Sequence, residues 1–253
     1  MAKVGQVRGM SFAEVYGRVV AGRQFVEYRD YYEQARSRYE RTVKVIDELG
    51  LPPGTRHLDV GGGQMALLTR EMFGYAGSVG DVQELARADV EGQGMGFERL
   101  NLFDEAFSVA EPYDLVTLLE VIEHIPQPPY IVFRKLRRVL KPGALLVMTT
   151  PNAFRTRNIL RMIANREVLD IYRYPEDGQA LGHQHEYTVR QMQWQLGHAG
   201  YEIVKLETYV SGWKGASAGA RAMHLLTAPL NAFPHLRDGL MIVARAPRAI
   251  PAA

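Results

Sequence analysis

The 253-residue sequence predicts an α/β protein with a mostly parallel sheet and helices on both faces. Three observations carry that prediction. The stretch Arg56-His57-Leu58-Asp59-Val60 reads as a buried strand broken by one acid, and Gly61, Gly62 and Gly63 end it just before a helical run from Ala66 to Met72. About twenty residues later a second strand ends at Asp81. Farther on, residues 113–119, a helical stretch and residues 144–150 repeat strand, helix, strand, a rhythm that demands parallel pairing with right-handed crossovers.

Taken in order, residues 1–30 give no clear element. Tyr32, Ala35, Tyr39, Val43, Ile46 and Leu49 recur at helical spacing, and Gly50 with Pro52-Pro53-Gly54 stops that helix ahead of the first strand. After Asp81, residues 82–94 hold Leu85, Ala86 and Ala88 but close on two glycines, so the next helix should be short. Residues 97–102 alternate as a third strand that ends at Asn101 and Leu102. The fourth strand, residues 113–119, runs into Glu120-Val121-Ile122-Glu123-His124. The helix after it puts Val132, Leu136, Val139 and Leu140 on one face and Arg134, Lys135, Arg137 and Arg138 largely on the other. Lys141-Pro142-Gly143 then turns into the fifth strand, which ends at Pro151-Asn152.

Residues 153–188 read as an insertion. A helical stretch carries Arg155, Arg157, Arg161 and Arg166, a loop with tyrosine and proline follows, and Gly182-His183-Gln184-His185-Glu186-Tyr187-Thr188 closes it. Thr188 should cap a helix over residues 189–199 that Gly200 ends. Residues 201–206 and 239–244 supply an antiparallel pair, which brings the sheet to seven strands. Between them, residues 212–236 are rich in small residues and admit three readings: a pocket wall, an oligomer contact, or a segment touching a membrane surface.

Composition sets the bounds. With no cysteine, thiolate nucleophiles, disulfides and thiolate zinc sites are excluded. A net charge of +2 does not imply nucleic acid, so any basic patch has to be local. No apolar run reaches transmembrane length, and Lys3, Arg8, Glu14, Arg18 and Arg23 interrupt the first twenty-five residues unlike a signal peptide, so a cytoplasmic setting is expected.

A strand that turns through glycines into a helix frees backbone N–H groups and lets a ligand approach closely. Asp81, at the end of the second strand, can accept from a ribose diol. This is a nucleoside half-site, and two ligands fit it. Gly61-x-Gly63-x-x-Ala66 satisfies the loose dinucleotide fingerprint. Asp59 is superfluous for a pyrophosphate and suits a cationic ligand.

Asp59-Val60-Gly61-Gly62-Gly63, Tyr113-Asp114-Leu115-Val116, Glu120-Val121-Ile122-Glu123-His124 and Leu140-Lys141-Pro142-Gly143-Ala144-Leu145-Leu146 come in that order over residues 56–152. The ordered set resembles the class I S-adenosylmethionine-dependent methyltransferases, although Met65 stands where that family usually has a third glycine. The resemblance implies a Rossmann-like fold, and S-adenosylmethionine held by Asp59, Gly61, Gly62, Gly63, Asp81, Asn101, Leu102 and Glu120. Asn101 takes the place of the acid that usually accepts from the adenine amino group, with Asp104 as a substitute. Tyr32, Arg38 and Tyr39 sit on the helix that lids the cofactor in such enzymes. The resemblance also implies one domain over residues 1–253, with a helical cap (1–55), a cofactor-binding core (56–152), an insertion over the substrate (153–188) and the C-terminal part of the sheet (189–253).

Glu120, Glu123 and His124 are spaced to share one face of a helical turn, and such a set suits magnesium, manganese or zinc. The stretch resembles the metal site of small-RNA 2′-O-methyltransferases, in which a later histidine, here His183, completes the ligands. A related acidic stretch occurs in ubiquinone-pathway O-methyltransferases. The competing reading has the stretch shape a metal-free pocket, with His183, His185 or His124 as the general base. His57, His198, His224 and His235 read as structural. The implied reaction is O-methylation of a small molecule such as a sugar, an isoprenoid or another secondary metabolite. A nucleotide-cofactor oxidoreductase and a cofactor-binding protein without catalysis are the alternatives. The arginines at 155, 157, 161 and 166 either meet substrate phosphates or form a solvated face, the commoner outcome.

Overall fold

A computed structural model describes residues 11–20, 29–84, 87–104, 108–169, 182–211, 222 and 225–248. Its strands are β1 (Arg56–Val60), β2 (Ala76–Asp81), β3 (Gly96–Arg99), β4 (Tyr113–Leu119), β5 (Leu140–Pro151), β6 (Glu202–Tyr209) and β7 (Gly239–Arg245). They form one sheet in the order β3-β2-β1-β4-β5-β7-β6. The first five are parallel; β7 runs antiparallel to both β5 and β6. The expected seven-stranded, mostly parallel sheet is what the chain builds.

Strand parity decides what each face buries. Leu115, Val147, Met241 and Val243 join the core under α1 (Phe12–Val19), α2 (Arg29–Glu48) and α3 (Gln64–Phe73). Leu58, Val116, Leu146 and Ile242 join the opposite core, under α5 (Pro129–Leu136) and α7 (Val189–His198). Strand order reverses between β1 and β4, so the crevice at their C-terminal ends is where a ligand is expected. Gly61 follows β1 there and Glu120 follows β4.

Local chemistry sets several boundaries. Thr188 accepts from the Gln191 N–H and Gln191 reaches back to the Thr188 N–H, a capping box that starts α7 as expected. Ser11 and Glu14 do the same for α1, a helix not anticipated although Ser11-x-x-Glu14 spells its start. The short helix after β2 is α4 (Arg87–Gly92), and the insertion helix is α6 (Thr156–Ile163).

The structure also corrects details. β3 stops at Arg99, so Asn101 and Leu102 lie in the loop beyond it, and β5 already begins at Leu140. Lys135 is not on a solvent face: it is buried, and its ammonium donates to the Leu102 carbonyl at 3.0 Å and to Gln127 Oε1 at 3.1 Å. The long stem lets an apolar helix face carry a cation to that loop. Ahead of β7 lie two short 3₁₀ turns, Ala228–Ala232 and Pro234–Leu236. Readings that rest on residues 170–181, 212–221, Met223, His224, Leu85, Ala86 or the Tyr32 side chain fall outside the described residues. Among the described residues, no helix is long and apolar enough to cross a membrane.

Candidate functional site

The turn from β1 into α3 depends on Gly61 and Gly63, whose φ angles are 75° and 143°. A Cβ on Gly61 would stand 2.7 Å from Val121 Cγ2, so the turn lies directly against the chain leaving β4. Parity points His57 and Asp59 toward α3. There Asp59 Oδ2 accepts from the N–H groups of Gly63 (2.8 Å), Met65 (3.0 Å) and Ala66 (3.4 Å). Its Oδ1 accepts from the Thr117 hydroxyl at 2.6 Å, Thr117 being its register partner on β4. Burial raises the Asp59 carboxyl above its ordinary value, and the hydrogen bonds offset part of that rise.

Behind this pair, His57 bridges Thr69 (2.7 Å) and Thr117 (2.8 Å), and burial pushes its pKa down to about 3. The imidazole is therefore neutral and structural. Both Asp59 carboxylate oxygens accept from the protein's own donors, so this acid braces the glycine turn as well as bordering the cleft beside it. Three N–H groups at the helix start are thereby occupied, and a pyrophosphate would have to displace a buried carboxylate to use them. This counts against the dinucleotide alternative.

A narrow cleft beside the glycines is lined by Tyr39, Asp59, Gly61, Gly62, Gln64 and Leu119. Tyr39 donates to Gln64 Oε1 at 3.3 Å, which brings α2 over the turn. Asp81 lies half-buried at the end of β2; burial raises its carboxyl, while the N–H groups of Gln83 and Val82 hold it back. Asn101 closes on its own loop: Oδ1 accepts from the Phe103 N–H at 3.0 Å and Nδ2 donates to Asp104 at 2.8 Å. Asn152, at the end of β5, is likewise spent on the carbonyls of His235 and Arg237.

Beyond β4 the expected helical turn through Glu120 does not form. Glu120 takes a left-handed φ of 56°, and the 3₁₀ turn covers Ile122–His124 only. Arg38 of α2 pairs with Glu120 Oε2 at 3.3 Å, and Tyr209 of β6 donates to its Oε1 at 3.3 Å. These partners tie the Glu120 carboxylate to α2 and β6. Glu123 is fully buried: Oε2 accepts from the Thr150 hydroxyl at 3.1 Å, and Oε1 has no partner. Burial, then the Glu120 charge, raise its carboxyl well above the ordinary range.

His183 does arrive at this point. The N–H groups of Gln184 and His185 donate to the Glu123 carbonyl at 2.7 and 3.2 Å, docking the loop. The His124 and His183 rings meet edge to face with centroids 4.8 Å apart. One ligand atom from each of Glu123, His124 and His183 lies within 4.8 Å of the others. Glu120 is not part of that group, and neither is His185.

His183 Nδ1 sits 3.3 Å from Glu186 Oε1, and Asn158 Nδ2 donates to Glu186 Oε2 at 2.6 Å. Arg155 also pairs with Glu186 and is largely buried, so it does not belong to a solvated face. Burial would raise the Glu186 carboxyl, but His183, the Arg155 charge and Asn158 together hold it below its usual value. His185 instead borders an open cavity of about 550 Å³, together with Phe154, Thr188, Gln191 and Trp194. His198 stacks on Trp194, and His235 lends its carbonyl to Asn152, which fits their structural reading. Thr117, Tyr209 and Glu186 were not anticipated. Glu186 had a local signal three residues after His183, whereas Thr117 and Tyr209 become visible only through strand pairing.

Comparison with known proteins agrees with this architecture. A ubiquinone biosynthesis O-methyltransferase from Hahella chejuensis is 37% identical over 114 residues, 42% of this chain and 48% of its own length. The chain thus spans about half the length of the curated relatives it matches. A Haloferax volcanii complex of the Trm112 methyltransferase activator with a putative methyltransferase contains a chain matching at TM-score 0.59 and 16% identity, over 91% of this chain and 99% of that one. A phosphoethanolamine N-methyltransferase 2 from Haemonchus contortus, in complex with S-adenosyl-L-methionine, matches at TM-score 0.53 and 16% identity, over 94% of this chain and 60% of that one. At such identities the likeness is one of fold. A family profile described as a methyltransferase domain matches residues 29–206, from α2 into β6, and the chain belongs to that family.

Proposed function

We propose that the chain transfers a methyl group from S-adenosylmethionine to an oxygen of a small molecule. The observation that supports this reading is the close approach of the glycine turn to Val121, two residues before Glu123 of the Glu123, His124 and His183 group. Asp59 holds the turn in shape, Asp81 accepts from the ribose, and Tyr39 and Gln64 flank the cleft. When bound, the sulfonium supplies an already activated methyl carbon, so the protein's main task is to align the acceptor behind it. His183, or His124 beside it, takes the proton from the acceptor hydroxyl as the C–O bond forms and the S–C bond breaks.

The same residues fit a divalent cation such as magnesium, manganese or zinc, because the unpartnered Glu123 oxygen and two imidazoles converge. Glu123, His124 and His183 would hold it, with Glu120 paired to Arg38. Such a cation, when bound, would lower the acceptor's pKa. The name of the Hahella relative favours a quinone-type isoprenoid acceptor over a sugar. A cytoplasmic setting and a single domain belong to the same proposal.

Calorimetry should show binding of S-adenosylmethionine and none of nicotinamide dinucleotides. Turnover to S-adenosylhomocysteine with quinone-derived hydroxyl acceptors should fall about 100-fold or more in His183→Ala. Undiminished turnover in that variant would remove His183 from the reaction. Activity that disappears with EDTA, returns with added metal, and is lost in Glu123→Gln would establish the cation; full activity in EDTA would leave the histidines as plain bases.

A further inference from the structure

We propose that Glu186 is the positioning residue for His183, and that Asn158 of the insertion helix α6 helps to hold it there. This deepens the reading above, since it rests on His183 working at the acceptor. α6 presents an unusual anchor: its one described buried side chain is Asn158, a polar amide, while Met162 and Ile163 are 55% and 77% exposed. Ile159 and Leu160 are half-buried, so the Asn158 amide is the one side chain of the helix that lies fully inside. That amide is fully used. Nδ2 donates to Glu186 Oε2 (2.6 Å) and the Ala153 carbonyl (3.1 Å), and Oδ1 accepts from Arg155 Nε at 3.2 Å.

The Glu186 side chain is 3% exposed and accepts from Asn158, Arg155 and His183 together. An ionised carboxylate only accepts, so the His183 nitrogen facing it, Nδ1, carries the proton. The ring's remaining nitrogen, Nε2, then keeps its lone pair, the form required of a general base or a cation ligand. Asn158 of α6 and Arg155 at its N-cap fix the carboxylate, the carboxylate fixes the ring, and the Gln184 and His185 N–H groups fix the backbone by donating to the Glu123 carbonyl.

The test reads the tautomer directly. In protein carrying ¹⁵N-labelled histidine, with His183 assigned by loss of its signals in His183→Gln, the ring should be the Nδ1–H tautomer at neutral pH. The double variant Arg155→Met, Glu186→Leu replaces the ion pair with apolar groups of similar size, a change often tolerated by the fold. Its His183 should relax to mixed tautomers and its kcat should fall about 10- to 100-fold, with affinity for S-adenosylmethionine unchanged. A wild-type His183 found as the Nε2–H tautomer overturns the proposal, and that result needs no variant. A double variant that keeps both tautomer and kcat overturns it as well. Normal turnover of His183→Ala would instead overturn only the catalytic reading, because the tautomer is measured independently of activity.

Discussion

Replacing Asp59 by alanine removes the acceptor of four hydrogen bonds at once, from the N–H groups of Gly63, Met65 and Ala66 and from the Thr117 hydroxyl. Each buried donor left unmade costs about 1–3 kcal/mol. Water entering the vacated space can serve some of them, so a loss of about 3–5 kcal/mol is expected, a large share of a typical domain's stability. Asp59→Asn should behave differently. Its amide oxygen can still accept from the helix start, while its NH₂ donates to Thr117. The Thr117 hydroxyl then turns to His57 Nε2, His57 donates from Nδ1 to Thr69, and the Thr69 hydroxyl turns to the Ala66 carbonyl 3.2 Å away. Every group finds a partner. The loss of charge assistance is partly offset by relief of a buried charge, leaving about 1–2 kcal/mol. Urea denaturation at neutral pH measures both variants, and ¹⁵N spectra of His57 should show its proton moving from Nε2 to Nδ1 in Asp59→Asn. An alanine variant within about 1 kcal/mol of wild type, or an unchanged His57 tautomer in the asparagine variant, would refute the account.

His57 predicts a pH dependence. Its folded pKa of about 3 lies below the unfolded value of 6.5, so the unfolded chain binds the extra proton between them. The neutral ring's contribution is complete above pH 6.5 and should be lost at about 1.4 kcal/mol per pH unit as pH falls toward 3. The raised carboxyls of Asp59 and Glu123 act with the opposite sign, so the measurement is the slope of wild type minus that of His57→Gln; equal slopes would contradict it. Gly61→Ala should cost about 1–2 kcal/mol for its left-handed backbone and more for the contact with Val121, and should weaken S-adenosylmethionine binding. Adding Val121→Ala should restore the steric part only; full recovery by that second change would show that backbone conformation contributes nothing.

Much of the fold was legible because its determinants are local. The apolar stretch ending at three glycines, the strand–helix–strand rhythm and the Thr188 cap each lie within a few residues, so period and turn chemistry specify β1, α3, β4, β5 and α7 without distant partners. The His183 approach to Glu123 and His124 was legible through family resemblance. Side-chain partnership was not. That Asp59 braces the turn was not visible, because only the β1–β4 register brings Thr117 beside it, and only the turn of α3 brings three N–H groups onto it. Glu120 looked like the first member of a helical triad, because spacing alone cannot show Arg38 and Tyr209 arriving from α2 and β6 to pair with it. Arg155 looked solvated until Glu186, thirty-one positions later, was placed against it. Backbone periodicity belongs to neighbours along the chain and is written in the sequence. The destination of a buried charge depends on which distant group desolvates it and which donors surround it, and that is decided only when the sheet is assembled.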